Sequence, residues 1–163
     1  MNVPNVGATA TPIAPDAVRE VFTIMQGFEL VATREAAARL GPGDAGELQG
    51  MLEIMDGALR AGAYGRGSEL NSRFHSAISA LTGMPLLRDM TDRVLGQWDR
   101  IRRHDFEGVV VPRAETAQRE HHELLAGMMA RDHVALEGIV RLHNRGALDD
   151  YSAVIRRHEG TVA

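Results

Sequence analysis

The 163-residue sequence predicts an all-α protein, an antiparallel bundle of six or seven helices. Three observations predict it. Aromatic residues make up only 4% of the chain, while Ala, Leu, Met and Arg are common, a composition that suits helices better than sheets. Apolar residues recur at helical spacing over long segments, and Gly, Pro and Asp punctuate those segments. The single strand-like run, "GVVVP" from Gly108, is too short to found a sheet.

The elements follow in order. Pro15-Asp16 reads as a helix start, and the first helix runs from about Ala17 to Leu40. "GPGD" at Gly41 to Asp44 is a break, with Asp44 able to cap a second helix that runs to about Gly62. "AYGRGS" is a turn whose Ser68 caps the third helix, "ELNSRFHSAISALTG". Gly83 suits that helix's end and Pro85 the first turn of a fourth helix, to about His104. "DFEGVVVPR" is a loop, and a fifth helix spans about Ala114 to Ala130. Arg131-Asp132 is a turn with Asp132 as N-cap. The sixth helix continues to His158, bent or broken near Gly146, which gives the count of six or seven. The expected organisation is a flexible lead-in over 1–16, one helical domain over 17–158 and a tail over 159–163.

Composition also excludes. There are no cysteines, so neither a disulfide framework nor a thiolate metal site can form, which fits a reducing, cytoplasmic setting. A net charge of −4 argues against direct nucleic-acid binding by this chain. No apolar run is long enough for a membrane span, and the first residues lack the pattern of a signal peptide. No nucleophile motif or phosphate loop occurs, and "GRG" at Gly65 to Gly67 reads as part of a turn.

The chemistry lies in the histidines: His75, His104, His121, His122, His133, His143 and His158. His121 falls in the arc of Ala117, Leu124 and Met128 on the fifth helix, and His143 in that of Leu136, Ile139 and Val140 on the sixth. Both face inward if those stripes form the core. His121 precedes Arg131 by ten residues and His143 follows Asp132 by eleven, so the two imidazoles come out level in a helical hairpin. On the third helix, Asn71 and His75 stand four residues apart and share a face beside Leu70, Phe74 and Ile78. That helix would complete a set of three nitrogens and one oxygen. Such a set suits zinc, nickel, copper, iron or cobalt, and the oxygen adds manganese. The ligands must be neutral imidazoles, so binding weakens at acid pH. A lone inward histidine is ordinarily a hydrogen-bonded core residue, and that reading stands beside the metal one.

"NSRFHSAISALTGMPLL" resembles the segment "D-x-x-F-H-x-x-L-x-x-A-s-G-N-p-x-L" of the FCD domain. That is the effector-binding domain of the FadR subfamily of GntR transcription regulators. "EHHELLAGMMARDHVALEGIVRLH" resembles the domain's other signature, "E-H-r-x-I-l-x-A-l-x-x-g-D-x-x-x-A-x-x-x-x-r-x-H", without a gap from His121 through Asp132 to His143. The resemblance covers about Ala17 to His158. It implies metal ligands at Asn71, His75, His121 and His143 around one divalent transition metal, with zinc first and nickel, manganese or iron as alternatives. It implies a central metal-containing cavity, a small carboxylate as effector and a homodimer. His122 matches a variable position, on the surface or behind the ligands. His104, His133 and His158 match nothing and are expected to be solvated.

Three departures stand out. The first ligand is often Asp, and here Asn71 is neutral, so the site is expected to keep the metal's full +2 and to attract an anion more strongly. The family often has an effector-binding arginine where this chain has Met25, so Arg73, Arg102 and Arg103 are candidates to replace it or the ligand differs. The family's winged helix-turn-helix has no counterpart in residues 1–16. Two functions follow. The favoured one is a ligand sensor that passes a change to a joined or partner DNA-binding domain. The other is a stand-alone metalloenzyme (a lyase, isomerase or hydrolase on a small carboxylate) with Glu29, Glu69 and His122 as candidate bases.

Overall fold

Proline and the left-handed turn residues delimit the elements. The computed structural model describes residues 14–104 and 111–161, and six helices account for nearly all of them: α1 Pro15–Arg39, α2 Pro42–Arg60, α3 Tyr64–Leu81, α4 Pro85–His104, α5 Val111–Ala130 and α6 His133–Thr161. Pro15, Pro42 and Pro85 each open a helix, where a missing N–H leaves no bond unmade. Gly62 ends the α2 region at φ 68°. There Gly62 N–H donates to Leu59 O and Ala63 N–H to Ala58 O, the paired bonds of a Schellman turn. Arg131 makes the same turn after α5 at φ 53°, and Asp132 Oδ1 then accepts from Ala135 N–H at 3.0 Å to cap α6.

α1 is the central helix. It packs on α3, α4, α5 and α6 rather than on α2, its neighbour in sequence. Its buried positions Val18, Phe22, Met25, Glu29, Ala32 and Ala36 recur at three- and four-residue spacing along its length. α2 packs against α3 and α5, α3 against α4, and α5 against α6. The stripes close two apolar cores. One joins Leu52, Met55, Phe74, Ile78, Met128 and Val140; the other joins Phe22, Met25, Trp98, Ile101, Tyr151 and Val154. Fully buried Phe74 in the first core contributes about 1.5–3 kcal/mol by its burial. Glu29 on α1 lies between Met25 of one core and Ala32 of the other; His143 and Asn144 on α6 likewise separate Val140 from Ala147. A buried polar layer therefore divides the two cores.

α2 already begins at Pro42 inside "GPGD", with Gly41 as N-cap. Asp44, at the third helical position, accepts from Gly41 N–H at 2.9 Å. Three further boundaries differ from the sequence expectation. "AYGRGS" is helical from Tyr64, with Ala63 as an N-cap that makes no side-chain bond, so Ser68 lies inside α3 and caps nothing. Gly67 lets α3 lie close to α2, since a Cβ there would stand 3.3 Å from Leu59 Cδ2 and that side chain would have to give way. Second, α5 starts at Val111, so the last three residues of "DFEGVVVPR" are helical. Third, α6 runs unbroken through Gly146 to Thr161. The lead-in residues 1–13, the loop residues 105–110 and the tail residues 162–163 lie outside the described residues, as do the side chains of His104 and His158.

Candidate metal centre

Three helices each bring one imidazole to the polar layer. His75 comes from α3, His121 from α5 and His143 from α6, and all three are buried. Their ring centroids lie 5.1 Å (His75–His121), 5.5 Å (His75–His143) and 4.8 Å (His121–His143) apart. One nitrogen of each falls within 4.8 Å of the others. The opposite nitrogens are engaged. His75 Nδ1 stands 2.9 Å from Glu29 Oε1, His121 Nδ1 stands 3.3 Å from Gln118 Oε1, and His143 Nδ1 stands 2.7 Å from Glu120 Oε2. An acceptor at each Nδ1 favours the tautomer with the proton there and the lone pair on Nε2. His75 Nε2 and His121 Nε2 are 3.2 Å apart. Two lone pairs at that distance repel unless a proton or a cation lies between them. This donor set fits a divalent metal, since small shifts would bring all three nitrogens to one ion at ~2.0–2.1 Å.

The layer behind the histidines is also tied down. Asn144 Nδ2 donates to Glu29 Oε2 at 2.6 Å, and Arg113 Nη2 donates to Glu120 Oε2 at 2.7 Å and to His143 O at 3.0 Å. Arg113 lies over Gly146, where a Cβ would meet its guanidinium at 2.7 Å. This explains the glycine in an unbroken helix. Burial pushes the Glu29 carboxyl upward, but the charge and hydrogen bond of His75, with His143 and Asn144, outweigh it and hold Glu29 below its ordinary range. Glu120 is likewise held low: His143 and Arg113 overcome the effect of burial. Burial first, then the neighbouring His143 and His75, holds the His121 imidazole well below its ordinary value and so keeps it neutral.

An acid-stability prediction follows for the metal-free chain. An unfolded histidine takes a proton near pH ~6.5, whereas folded His121 does so only at lower pH. Below pH ~6.5 the unfolded state therefore binds more protons, and stability falls with pH. Glu29 and Glu120 act in the same direction further down, because their lowered pKa values contribute stability that is lost as pH drops through them. The urea midpoint of chelator-treated protein is expected to be lower at pH 5.5 than at pH 7.5. An equal or higher midpoint would contradict this.

Above the histidines lies a cavity of about 70 Å³. Asn71, His121, His143 and Asn144 line its polar side; Phe22, Met25, Met55, Leu59, Trp98 and Tyr151 are among its apolar walls. Asn71 Nδ2 is buried without a hydrogen-bond partner. Of the arginines read from the sequence, Arg102 lines the cavity, as does Met25. Arg73 is exposed on a separate surface groove, and Arg103 is exposed and donates to Asp99 O on its own helix. The three candidate bases are scattered. Glu29 is buried against His75, Glu69 is an exposed partner of Arg66 at 3.4 Å, and His122 is half-exposed and pairs with Asp56 at 3.1 Å. His133 is exposed.

Sequence reasoning passed over Arg113, Gln118, Glu120 and Asn144. Asn144 and Glu120 carried a signal, a polar residue next to an inward histidine. Arg113 carried none, because it fell in a segment read as loop.

A helical bundle with a polar layer of three histidines beneath a cavity defines the class, a helical domain with a candidate ligand site. The FCD domain family model matches residues 20–146, and the chain belongs to the FCD domain family, which serves GntR-type regulators. E. coli McbR/YncC is among the solved structures that match. It has a TM-score of 0.77 and 22% identity, over 92% of this chain and 73% of that one, and at that identity the likeness shows the fold. No curated protein sequence matches the chain. Among the described residues, no helix is long and apolar enough to cross a membrane.

Proposed function

We propose that the chain is a metal-dependent effector sensor. His75, His121 and His143, with Asn71 as oxygen ligand, hold one divalent transition metal, zinc first, and a small carboxylate binds there. The observation that carries the reading is the set of three buried imidazoles with every Nδ1 engaged. A bound divalent ion would supply a Lewis-acidic positive charge for a carboxylate oxygen. The chain's own residues do the rest. Glu29, Gln118 and Glu120 orient the rings, and the apolar walls exclude water. Ligand binding then shifts the population of helix arrangements, which a joined or partner DNA-binding domain reads. In this reading the domain works as a cytoplasmic homodimer.

Sensor is favoured over catalyst because no candidate base is free at the site. Glu29 is committed to His75 and Asn144, while Glu69 and His122 make surface pairs. Elemental analysis of untagged protein purified without chelator is expected to find one metal per chain. A content well below one, not restored by zinc, nickel or manganese, would sink the reading.

A further inference from the structure

Each of the three imidazoles has a partner at Nδ1, but the partners are not of one kind. Glu29 stands at His75 and Glu120 at His143. Those carboxylates have only lone pairs to offer, so each requires a proton on the ring nitrogen it faces. His121 instead faces the side-chain amide of Gln118, at 3.3 Å. An amide offers an acceptor at Oε1 and two donors at Nε2, so by itself it fits either tautomer of the ring. A third group must choose between them.

We infer that Asp56, at the protein surface, is that group: a positioning residue that fixes the Gln118 amide and through it turns the lone pair of His121 Nε2 toward the metal. In what it says of the metal, the inference rests on the proposed metal-dependent sensor.

Gln118 is buried on α5. Its Nε2 donates to Asp56 Oδ1 at 2.8 Å and to Leu52 O at 3.1 Å, both on α2. Neither a carboxylate oxygen nor a carbonyl can donate in return. Turning the amide over would set Oε1 against both acceptors and forfeit two hydrogen bonds. Oε1 therefore stays toward His121 and accepts a proton carried on Nδ1, which leaves the lone pair on Nε2, the nitrogen that faces His75. With both Nε2 protons used, the 3.4 Å approach of Gln118 Nε2 to His122 Nε2 adds no bond.

The two acceptors on α2 are unequal. Leu52 O lies inside the helix, where it also serves the backbone ladder. Asp56 makes the shorter bond with a charged acceptor, the stronger kind. Its other partner is His122, whose Nε2 lies 3.1 Å from Oδ2. Asp56 also lines a surface groove with Arg60, Arg119 and His122, and its side chain is 28% exposed. A chain of contacts thus runs inward from solvent, from Asp56 through Gln118 to the buried ring.

Nitrogen-15 NMR of the histidine side chains tells an Nδ1–H ring from an Nε2–H ring and needs no metal. In the metal-free full chain, the wild type and Asp56→Asn are expected to carry the His121 proton on Nδ1, since asparagine still offers Gln118 an oxygen. Asp56→Ala removes that acceptor and is expected to shift the His121 tautomer ratio toward Nε2–H by about tenfold. His75 and His143, held by their own carboxylates, keep theirs in all three proteins and serve as internal references. Zinc affinity, measured by competition with a chromophoric chelator, is expected to fall roughly tenfold in Asp56→Ala and to stay near the wild-type value in Asp56→Asn. An Nε2–H ring at His121 in the wild type, an unshifted ratio in Asp56→Ala, or equal zinc affinities for Asp56→Ala and wild type would each overturn the inference. A wild-type chain that takes up no zinc would count against the sensor reading alone, and the metal-free spectra would still decide whether Asp56 sets the tautomer.

Discussion

Replacing His121 and His143 together by alanine is expected to abolish metal binding, from one equivalent per chain to background. The two rings come from opposite arms of the α5–α6 hairpin, with centroids 4.8 Å apart. Without them the proposed site keeps one imidazole and one neutral amide, both from α3, too few for tight capture of a transition metal. The substitutions also strand Gln118 and Glu120, which lose their ring partners. Each stranded group costs about 1–3 kcal/mol, so circular dichroism and a urea melt must accompany the metal analysis. His143→Gln is the gentler companion, since it retains a donor for Glu120; it is expected to weaken binding at least tenfold with little change in fold. Full metal content in a folded double variant would remove these histidines from the ligand set.

Gly146→Ala is expected to weaken metal binding by about 10–100-fold although it touches no ligand. A Cβ at 146 would stand 2.7 Å from Arg113 Nη1 and 2.8 Å from Nη2, closer than packing allows. The guanidinium must move, and with it the bonds that hold Glu120 and the His143 carbonyl. Glu120 sets the orientation of the His143 ring, so the displacement reaches the site in two steps. Gly138 on the same helix is the control. It is exposed with nothing near its missing Cβ, so Gly138→Ala is expected to stabilise the chain by roughly 0.5–1 kcal/mol and leave affinity unchanged. Competition titration with a chromophoric chelator measures both. Equal affinities for the two variants would show that Arg113 does not position His143.

Much of the fold was legible in the chain. The prolines at 15, 42 and 85 and the turn at Arg131-Asp132 fall at real helix boundaries, because each acts through its own backbone. The level placement of His121 and His143 followed from helical rise and one turn. Boundaries failed where a glycine serves a neighbour rather than its own backbone. Gly67 makes room for Leu59 and Gly146 for Arg113, and both sit inside helices that local chemistry would break.

By itself the sequence determined the helical class, the punctuation and the inward faces carrying His75, His121 and His143, because periodicity and capping are local properties. Only the tertiary structure decided that those faces meet. It also decided what stands behind them. Asn71 suggested a site with the metal's full charge, yet α1 brings Glu29 to His75 and α5 brings Glu120 to His143, two buried carboxylates that reduce the net charge an effector would meet. Of the named arginines it put Arg102 at the cavity and Arg73 outside it, and it added Arg113. The physical reason is distance along the chain. Glu29 and Asn144 form one hydrogen bond across 115 residues, and no local pattern in either helix encodes which partner the packing will supply.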